Sequence, residues 1–283
     1  MPYQQDCSVL FLRALNEKAY ELILEAPEIV AAAQPGQFVH VSCGEGRLLR
    51  RPISICEASG VQLRLVFEVR GEGTEWLSRR TKGERVSVLG PLGHGFDVDG
   101  KRVLFIGGGI GVPPLLWAAK RAESADAALG FAAENRAILM VDFAKVCGEA
   151  ALTTDDGSLG RRGNVTVPLG EMLAAGETFD RIFAIGPLVM MKYVVETARP
   201  YGVPVTVSMN PIMIDGTGMC GGCRLTLVQD GQRVARFACV DGPDFDGYEV
   251  DFDEAMARSR MYAPFEHAAR EHVCSLLAQA GEA

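Results

Sequence analysis

Hydrophobic and polar residues alternate in short runs through roughly the first hundred positions. The runs are Ser8–Ala14, Ala19–Glu25, Gln37–Ser42, Pro52–Cys56, Gln62–Val69 and Arg85–Gly90, with breaks at Pro35-Gly36, Ser59-Gly60, Lys82-Gly83 and Gly93–Gly95. Alternation sends successive side chains to opposite faces of a strand. Strands this short and this regularly broken predict a small antiparallel β-barrel. The pattern changes at Arg102. Val103–Ile106 is a continuous apolar run, as in a strand buried on both faces, and glycines follow it before a helical pattern over Pro113–Ala122. Further apolar runs at Ala127–Phe131, Ala150–Thr153, Arg181–Ile185 and Pro204–Val207 are separated by stretches long enough for crossover helices. Arg136–Val146 is ambiguous by period and is assigned to one of those helices. The alternation predicts an α/β doubly wound parallel sheet. After Asn210 come a glycine–cysteine loop, a hairpin (Arg224–Val228, turn at Asp230-Gly231, Arg233–Ala238) and a polar helix from about Pro264. The expected units are residues 1–98, 99–208 and 209–283.

Composition narrows the classes. The 283 residues leave room for two domains and a small appendage, and with 48% hydrophobic residues the chain can bury a sizeable core. A net charge of −8 without a basic block argues against a nucleic-acid surface. No apolar run is long enough to cross a bilayer, and Met1–Asp6 is too polar to begin a signal peptide. Of the eight cysteines, Cys7, Cys43, Cys56, Cys147 and Cys274 are scattered, whereas Cys220, Cys223 and Cys239 cluster. That usage suits a reducing compartment and one metal centre, so a cytoplasmic protein with no membrane partner is expected.

The cluster is the most informative chemistry. Asp215-Gly-Thr-Gly-Met-Cys220-Gly-Gly-Cys223, with Cys239 sixteen residues further on, has the plant-type [2Fe–2S] spacing with aspartate in the first ligand position. Gly216, Gly218, Gly221 and Gly222 let one loop wrap a small inorganic core and aim backbone N–H groups at it. Two other readings stay open. A structural zinc site would have to use a carboxylate or water, because no histidine lies between His94 and His267. A disulfide is the other. Asp215 itself also suits an ordinary Asp-Gly turn.

Other motifs suit phosphate. Gly107-Gly108-Gly109-Ile-Gly111-Val-Pro113-Pro114 sits at a strand-to-helix turn, where glycines admit a pyrophosphate and unpaired N–H groups face it. A glycine turn that only packs helix on strand is the alternative. Gly186-Pro187 ends the strand Arg181–Ile185. In the first half, the fork of Arg51 in Arg51-Pro52-Ile53-Ser54 suits a diphosphate, and the Ser54 hydroxyl suits a flavin edge. Gly71-Glu-Gly73-Thr74 offers a glycine turn and a hydroxyl for a second phosphate contact. A surface arginine and a hairpin turn are the plain alternatives.

Together, Pro35-Gly-Gln-Phe-Val39, Arg51–Ser54, Gly71-x-Gly-Thr74, Gly108-Gly-x-Gly-x-x-Pro114, Gly186-Pro187 and the cysteine loop resemble the ferredoxin–NADP reductase-like module with an iron–sulfur lobe. The resemblance is to the group containing the electron-transfer subunit of dihydroorotate dehydrogenase B. Within it, Met209–Cys223 and Phe237–Gly247 are similar to the small subunits of NADH-dependent reduced ferredoxin:NADP oxidoreductases and of sulfide dehydrogenases.

The resemblance implies an oxidoreductase subunit with FAD on the barrel, where Arg51 and Thr74 meet its phosphates beside Gly71 and Gly73, and Pro52, Ile53 and Ser54 lie by the ring. It implies NAD(H) over the sheet, with NADP(H) as the other candidate, near Gly108, Gly109, Gly111, Gly186 and Pro187. It implies a [2Fe–2S] centre on Asp215, Cys220, Cys223 and Cys239. The implied partner, in a heterodimer, is a larger subunit with its own FAD and [4Fe–4S] clusters, exchanging electrons with ferredoxin in a bifurcating complex. A dihydroorotate- or sulfide/polysulfide-linked partner, and a noncatalytic iron–sulfur sensor or scaffold, are the competing readings. Ile53 and Ala184 depart from the wider pattern, which has an aromatic and a cysteine there. Glu134 and Arg136 point to opposite choices between NADH and NADPH.

Overall fold

The computed structural model describes residues 2–44, 49–262 and 265. Its first half comprises β1 (Tyr3–Ala14), β2 (Ala19–Glu25), α1 (Pro27–Ala32), β3 (Phe38–Val41), β4 (Arg51–Ser59), β5 (Gln62–Glu68), α2 (Glu72–Leu77) and β6 (Arg85–Leu92). The six strands close an antiparallel barrel in the order β1-β2-β5-β4-β3-β6. Alternation fills it: Val39 and Val41, Ile53 and Ile55, Leu63 and Leu65, and Val86 and Val88 share one buried core. Closure leaves no open barrel edge.

The second half carries β7 (Arg102–Gly108), α3 (Pro113–Arg121), β8 (Ser124–Phe131), α4 (Met140–Ala144), β9 (Ala150–Thr154), β10 (Arg161–Arg162), α5 (Thr166–Ala174), β11 (Arg181–Ile185), α6 (Leu188–Ala198) and β12 (Val205–Ser208). These strands are parallel and, apart from the short exposed β10, largely buried, with helices packed against the sheet, as their apolar runs require. The remaining elements are the hairpin β13 (Arg224–Gln229) and β14 (Gln232–Phe237), then β15 (Asp244–Asp246) and α7 (Phe252–Ser259). Asp230 and Gly231 both take positive φ, 50° and 76°, as a tight hairpin turn of primed type demands. The full sheet order is β10-β9-β8-β7-β11-β12-β15, in which β15 runs antiparallel to β12.

The three parts share cores rather than touching at points. Phe38 and Leu92 of the barrel, Ile182 and Val207 of the sheet, and Met213, Leu225 and Phe245 of the lobe lie in one buried cluster. Lys120 of α3 meets Glu57 of β4 at 2.6 Å, and Trp117 of α3 packs on the barrel core.

The structure corrects some expectations. Arg136–Val146 is not one helix: Leu139 takes a left-handed φ of 57°, so only Met140–Ala144 is α-helical after a 3-10 turn at Glu134–Arg136. Gly71–Thr74, expected as a glycine turn, opens the helix α2, so the plain alternative of a hairpin turn does not hold. The polar helix expected from Pro264 falls outside the described residues, apart from Phe265. Among the described residues, no helix is long and apolar enough to cross a membrane.

Candidate metal centre and nucleotide site

The two glycine turns of the sheet meet. β7 lies between β8 and β11, so the chain reverses its winding direction there, and an open α/β sheet binds ligands at the carboxyl ends of such strands. Gly107–Gly111 ends β7, and Gly186-Pro187 ends β11. A Cβ on Gly108 would lie 2.4 Å from Met190 Sδ, and one on Gly111 would lie 2.2 Å from the Ile185 carbonyl oxygen. A Cβ on Gly186 would fall 3.1 Å from the Gly108 Cα. Those three glycines pack the turns together. Gly109 differs, with φ of +54° and open space where its side chain would be. It is the glycine free for close approach by a ligand.

Arg136, one of the two opposed specificity signals, is paired with Glu68 of the barrel. Ser158 instead joins the Glu134 side: it accepts the Glu134 N–H at 2.8 Å and donates to Asp156 at 2.6 Å. The ends of β8 and β9 therefore present hydroxyl and carboxylate groups. Neither Glu68 nor Ser158 belonged to a motif, and only folding brings them here.

On the barrel, Arg51 and the Gly71–Thr74 turn come together. A Cβ on Gly73 would lie 2.7 Å from Arg51 Nε and 2.9 Å from Cζ, so the guanidinium lies over a space that only glycine leaves. The Thr74 hydroxyl serves the turn, accepting N–H bonds from Arg70 at 2.9 Å and Gly71 at 3.2 Å. Ile53 faces the barrel core, whereas Ser54 is half-buried and Pro52 exposed. A fork beside a glycine-built turn fits a diphosphate.

In the lobe, the Cys223 and Cys239 thiols are buried, and Cys223 donates to Cys239 Sγ at 3.2 Å with no disulfide between them. Burial and the neighbouring Cys223 push the Cys239 thiol up to about 12, so deprotonation there calls for a bound cation. Cys220 is exposed on the loop and accepts the Gly222 N–H at 3.4 Å. Asp215 folds back over the same loop. Its carboxylate accepts the Thr217 hydroxyl at 2.6 Å and the Cys220 N–H at 2.8 Å, and these bonds hold it well below the usual carboxylate range. Gly216, Gly218 and Gly221 have φ of +78°, +88° and +66°, as a tight wrapping loop requires. Among the described residues, no three His, Cys, Asp or Glu side chains are already gathered at metal-binding distance. The donors nevertheless lie on one short loop and a facing cysteine, a set that suits a thiolate-bound centre.

One further residue reaches this loop. His40 of β3 is fully buried, and a Cβ on Gly216 would lie 2.9 Å from its Cε1 and 3.0 Å from its Nε2. Burial, and then the charge of Arg50, push this imidazole down to about 4, against a smaller opposing pull from Asp215. His40 lies outside the His94–His267 interval and reaches the loop from the barrel. The available signal was the alternation Phe38-Val39-His40-Val41, which puts His40 on the face opposite the barrel core.

Comparison with known proteins agrees with this geometry. Residues 210–251 match the iron–sulfur cluster binding domain of dihydroorotate dehydrogenase B. The chain is 38% identical over 276 residues to the dihydroorotate dehydrogenase B (NAD(+)) electron transfer subunit homolog of Thermotoga maritima, covering 95% of this chain and 94% of that protein. It is 38% identical over 255 residues to the dihydroorotate dehydrogenase B (NAD(+)) electron transfer subunit of Geobacillus thermodenitrificans, covering 86% and 96%. A solved structure of NADH-dependent reduced ferredoxin-NADP oxidoreductase, described for flavin-based electron bifurcation, superposes with a TM-score of 0.85. That match has 34% identity and covers 95% of this chain and 98% of that one.

Proposed function

We propose that this chain, which belongs to the family of dihydroorotate dehydrogenase B electron-transfer subunits and their homologues, passes electrons between NAD(H), FAD and a [2Fe–2S] centre on behalf of a larger partner. In that reading residues 1–98 hold FAD, 99–208 hold the nicotinamide nucleotide and 209–283 hold the cluster. One observation carries it. Gly216 of the metal loop packs on His40 of β3, which pairs across the sheet with Pro52 in the Arg51–Ser54 strand, so β3 bridges the flavin strand and the metal loop.

When bound, FAD would supply hydride exchange with the nicotinamide and single-electron exchange with iron. The chain's own residues bind and orient. Arg51 holds the FAD diphosphate at the Gly71–Thr74 turn, and Ser54 lies toward the flavin ring. Gly109 admits the dinucleotide pyrophosphate, while Gly108, Gly111, Gly186 and Pro187 build the floor beneath the nicotinamide half. Asp215, Cys220, Cys223 and Cys239 hold iron. Proton transfer by a side chain is not required. The Arg136–Glu68 pair occupies the arginine a 2′-phosphate would need, which supports NADH over NADPH.

The partner we assign is the larger subunit of a bifurcating NADH-dependent ferredoxin:NADP oxidoreductase. The solved relative and the aspartate in the first ligand position support it. The names of the curated relatives favour a second reading, a dihydroorotate-oxidising complex. With the larger subunit co-produced, flavin reduction by dihydroorotate would select the second reading. Reduction by ferredoxin together with NADPH formation would select the first. The test of the chain itself is anaerobic NADH addition, followed by visible absorbance and low-temperature EPR. Flavin bleaching with a reduced [2Fe–2S] signal is expected. A purified chain that takes up neither FAD nor iron on anaerobic reconstitution would overturn the reading and leave a zinc-bearing or scaffold protein.

A further inference from the structure

His40 is fully buried, and among the described residues neither Nδ1 nor Nε2 has a hydrogen-bond partner. Buried polar groups are almost always paired, and an imidazole left unpaired is worse than an apolar side chain of similar size. The neighbours on its face show what packing alone would select. Phe38, two residues earlier, lies with its ring centroid 5.7 Å away and joins the shared core with Met213 and Cys223. His40 instead turns its nitrogens to Gly216, the residue after Asp215, at a position where any side chain would strike the ring.

We propose that His40 is a positioning residue for the metal centre: its ring N–H donates a hydrogen bond into the ligand shell held by the Asp215–Cys223 loop and Cys239, tying that centre to the Arg51–Ser54 strand. The inference rests on the iron–sulfur reading above. A neutral imidazole has one N–H to give, and the group it meets is supplied by what the loop binds. Donated hydrogen bonds around a metal centre favour its more negative, reduced form, so this bond raises the midpoint potential. Because the bond starts on the barrel, it also fixes where the loop sits relative to the flavin strand.

The test compares full-length wild type, His40→Leu and His40→Gln, purified anaerobically and also prepared iron-free. In the loaded chain, His40→Leu is expected to keep its iron. Its midpoint should move negative by a tenfold change in the one-electron equilibrium, ~59 mV, with altered EPR g values. His40→Gln, which retains an N–H donor, should restore much of the shift. In the iron-free chain the order reverses, and His40→Leu should melt above wild type because the orphaned imidazole is gone. A midpoint and g values unchanged in His40→Leu, or an iron-free His40→Leu less stable than wild type, overturns the inference while leaving the electron-transfer reading intact. If His40→Leu fails to take up iron, retention of a wild-type signal by His40→Gln supports the inference, and loss of iron from both overturns it. A wild-type chain with no [2Fe–2S] signal overturns both.

Discussion

Replacing Gly73 with alanine perturbs the flavin site without replacing any side chain assigned to flavin. Gly73 is helical and its φ is not positive, so alanine suits the backbone and, by helix propensity, is better there by up to ~1 kcal/mol. Its methyl group, however, would lie 2.7 Å from Arg51 Nε and 2.9 Å from both Cζ and Nη2. The guanidinium is the movable partner and must shift off the turn. A charge-assisted hydrogen bond to an ionised group is worth about 1.5–3 kcal/mol, so losing the Arg51–diphosphate contact corresponds to about a 10- to 150-fold weaker Kd for FAD. Flavin-depleted full-length chain titrated with FAD, read by flavin fluorescence, measures that Kd, and a thermal melt without flavin measures stability. Gly73→Ala is expected to lose affinity while its melting temperature holds or rises. Arg51→Ala should lose at least as much affinity. The double variant should be no worse than Arg51→Ala alone, because the glycine acts only through the arginine. Full affinity in Gly73→Ala, or losses that simply add in the double variant, would refute this account of the site.

Asp215→Cys is expected to keep a [2Fe–2S] centre with a shifted midpoint, whereas Asp215→Ala should alter or lose it; an unaltered spectrum and midpoint in Asp215→Ala would remove Asp215 from the ligand set. Glu68→Gln releases Arg136 and should raise the kcat/KM ratio of NADPH to NADH about tenfold, one charge-assisted bond; steady-state kinetics showing no change would place the ribose elsewhere. Asp244 has its Oδ1 buried and, among the described residues, unpaired, and burial raises its pKa against weaker pulls from its own backbone, His94 and Arg181. A carboxyl whose folded pKa lies above its unfolded one destabilises the fold once pH exceeds both values and has no effect below both. Asp244→Asn should therefore melt above wild type at neutral pH. The difference should vanish as pH falls toward the ordinary aspartate value, and a difference that grows on acidification would contradict the burial argument.

Much of this organisation was legible before folding was considered. Val103–Ile106 and Arg181–Ile185 are unbroken apolar runs ended by glycine, so their type and their ligand-facing ends follow from local chemistry. The barrel strands were legible for the same reason, because Gly36, Gly60 and Gly83 take positive φ where the breaks fall. The missed elements depend on distant partners. β15 has three residues and exists as a strand through its pairing with β12. α2 was read as a turn because glycines stand at its N-cap and second residue, and Gly73 answers to the Arg51 guanidinium and not to helix propensity. The spacing from Asp215 to Cys239 is readable by eye. His40 and Glu68 are not, since each acquires meaning only when the barrel meets another part of the chain.

The pairing of β15 with β12 has a consequence for how the molecule behaves in a crowd. An open parallel sheet ends in a row of unsatisfied amide groups, which can template a strand from another chain and seed aggregation. At one margin this sheet finishes in β10, two exposed arginines too short and too charged to serve as a template. At the other margin, Asp244–Asp246 covers Thr206–Ser208, so the metal lobe also shields the sheet from self-association. Iron-free preparations, in which the lobe loses its central staple, are where clumping should begin.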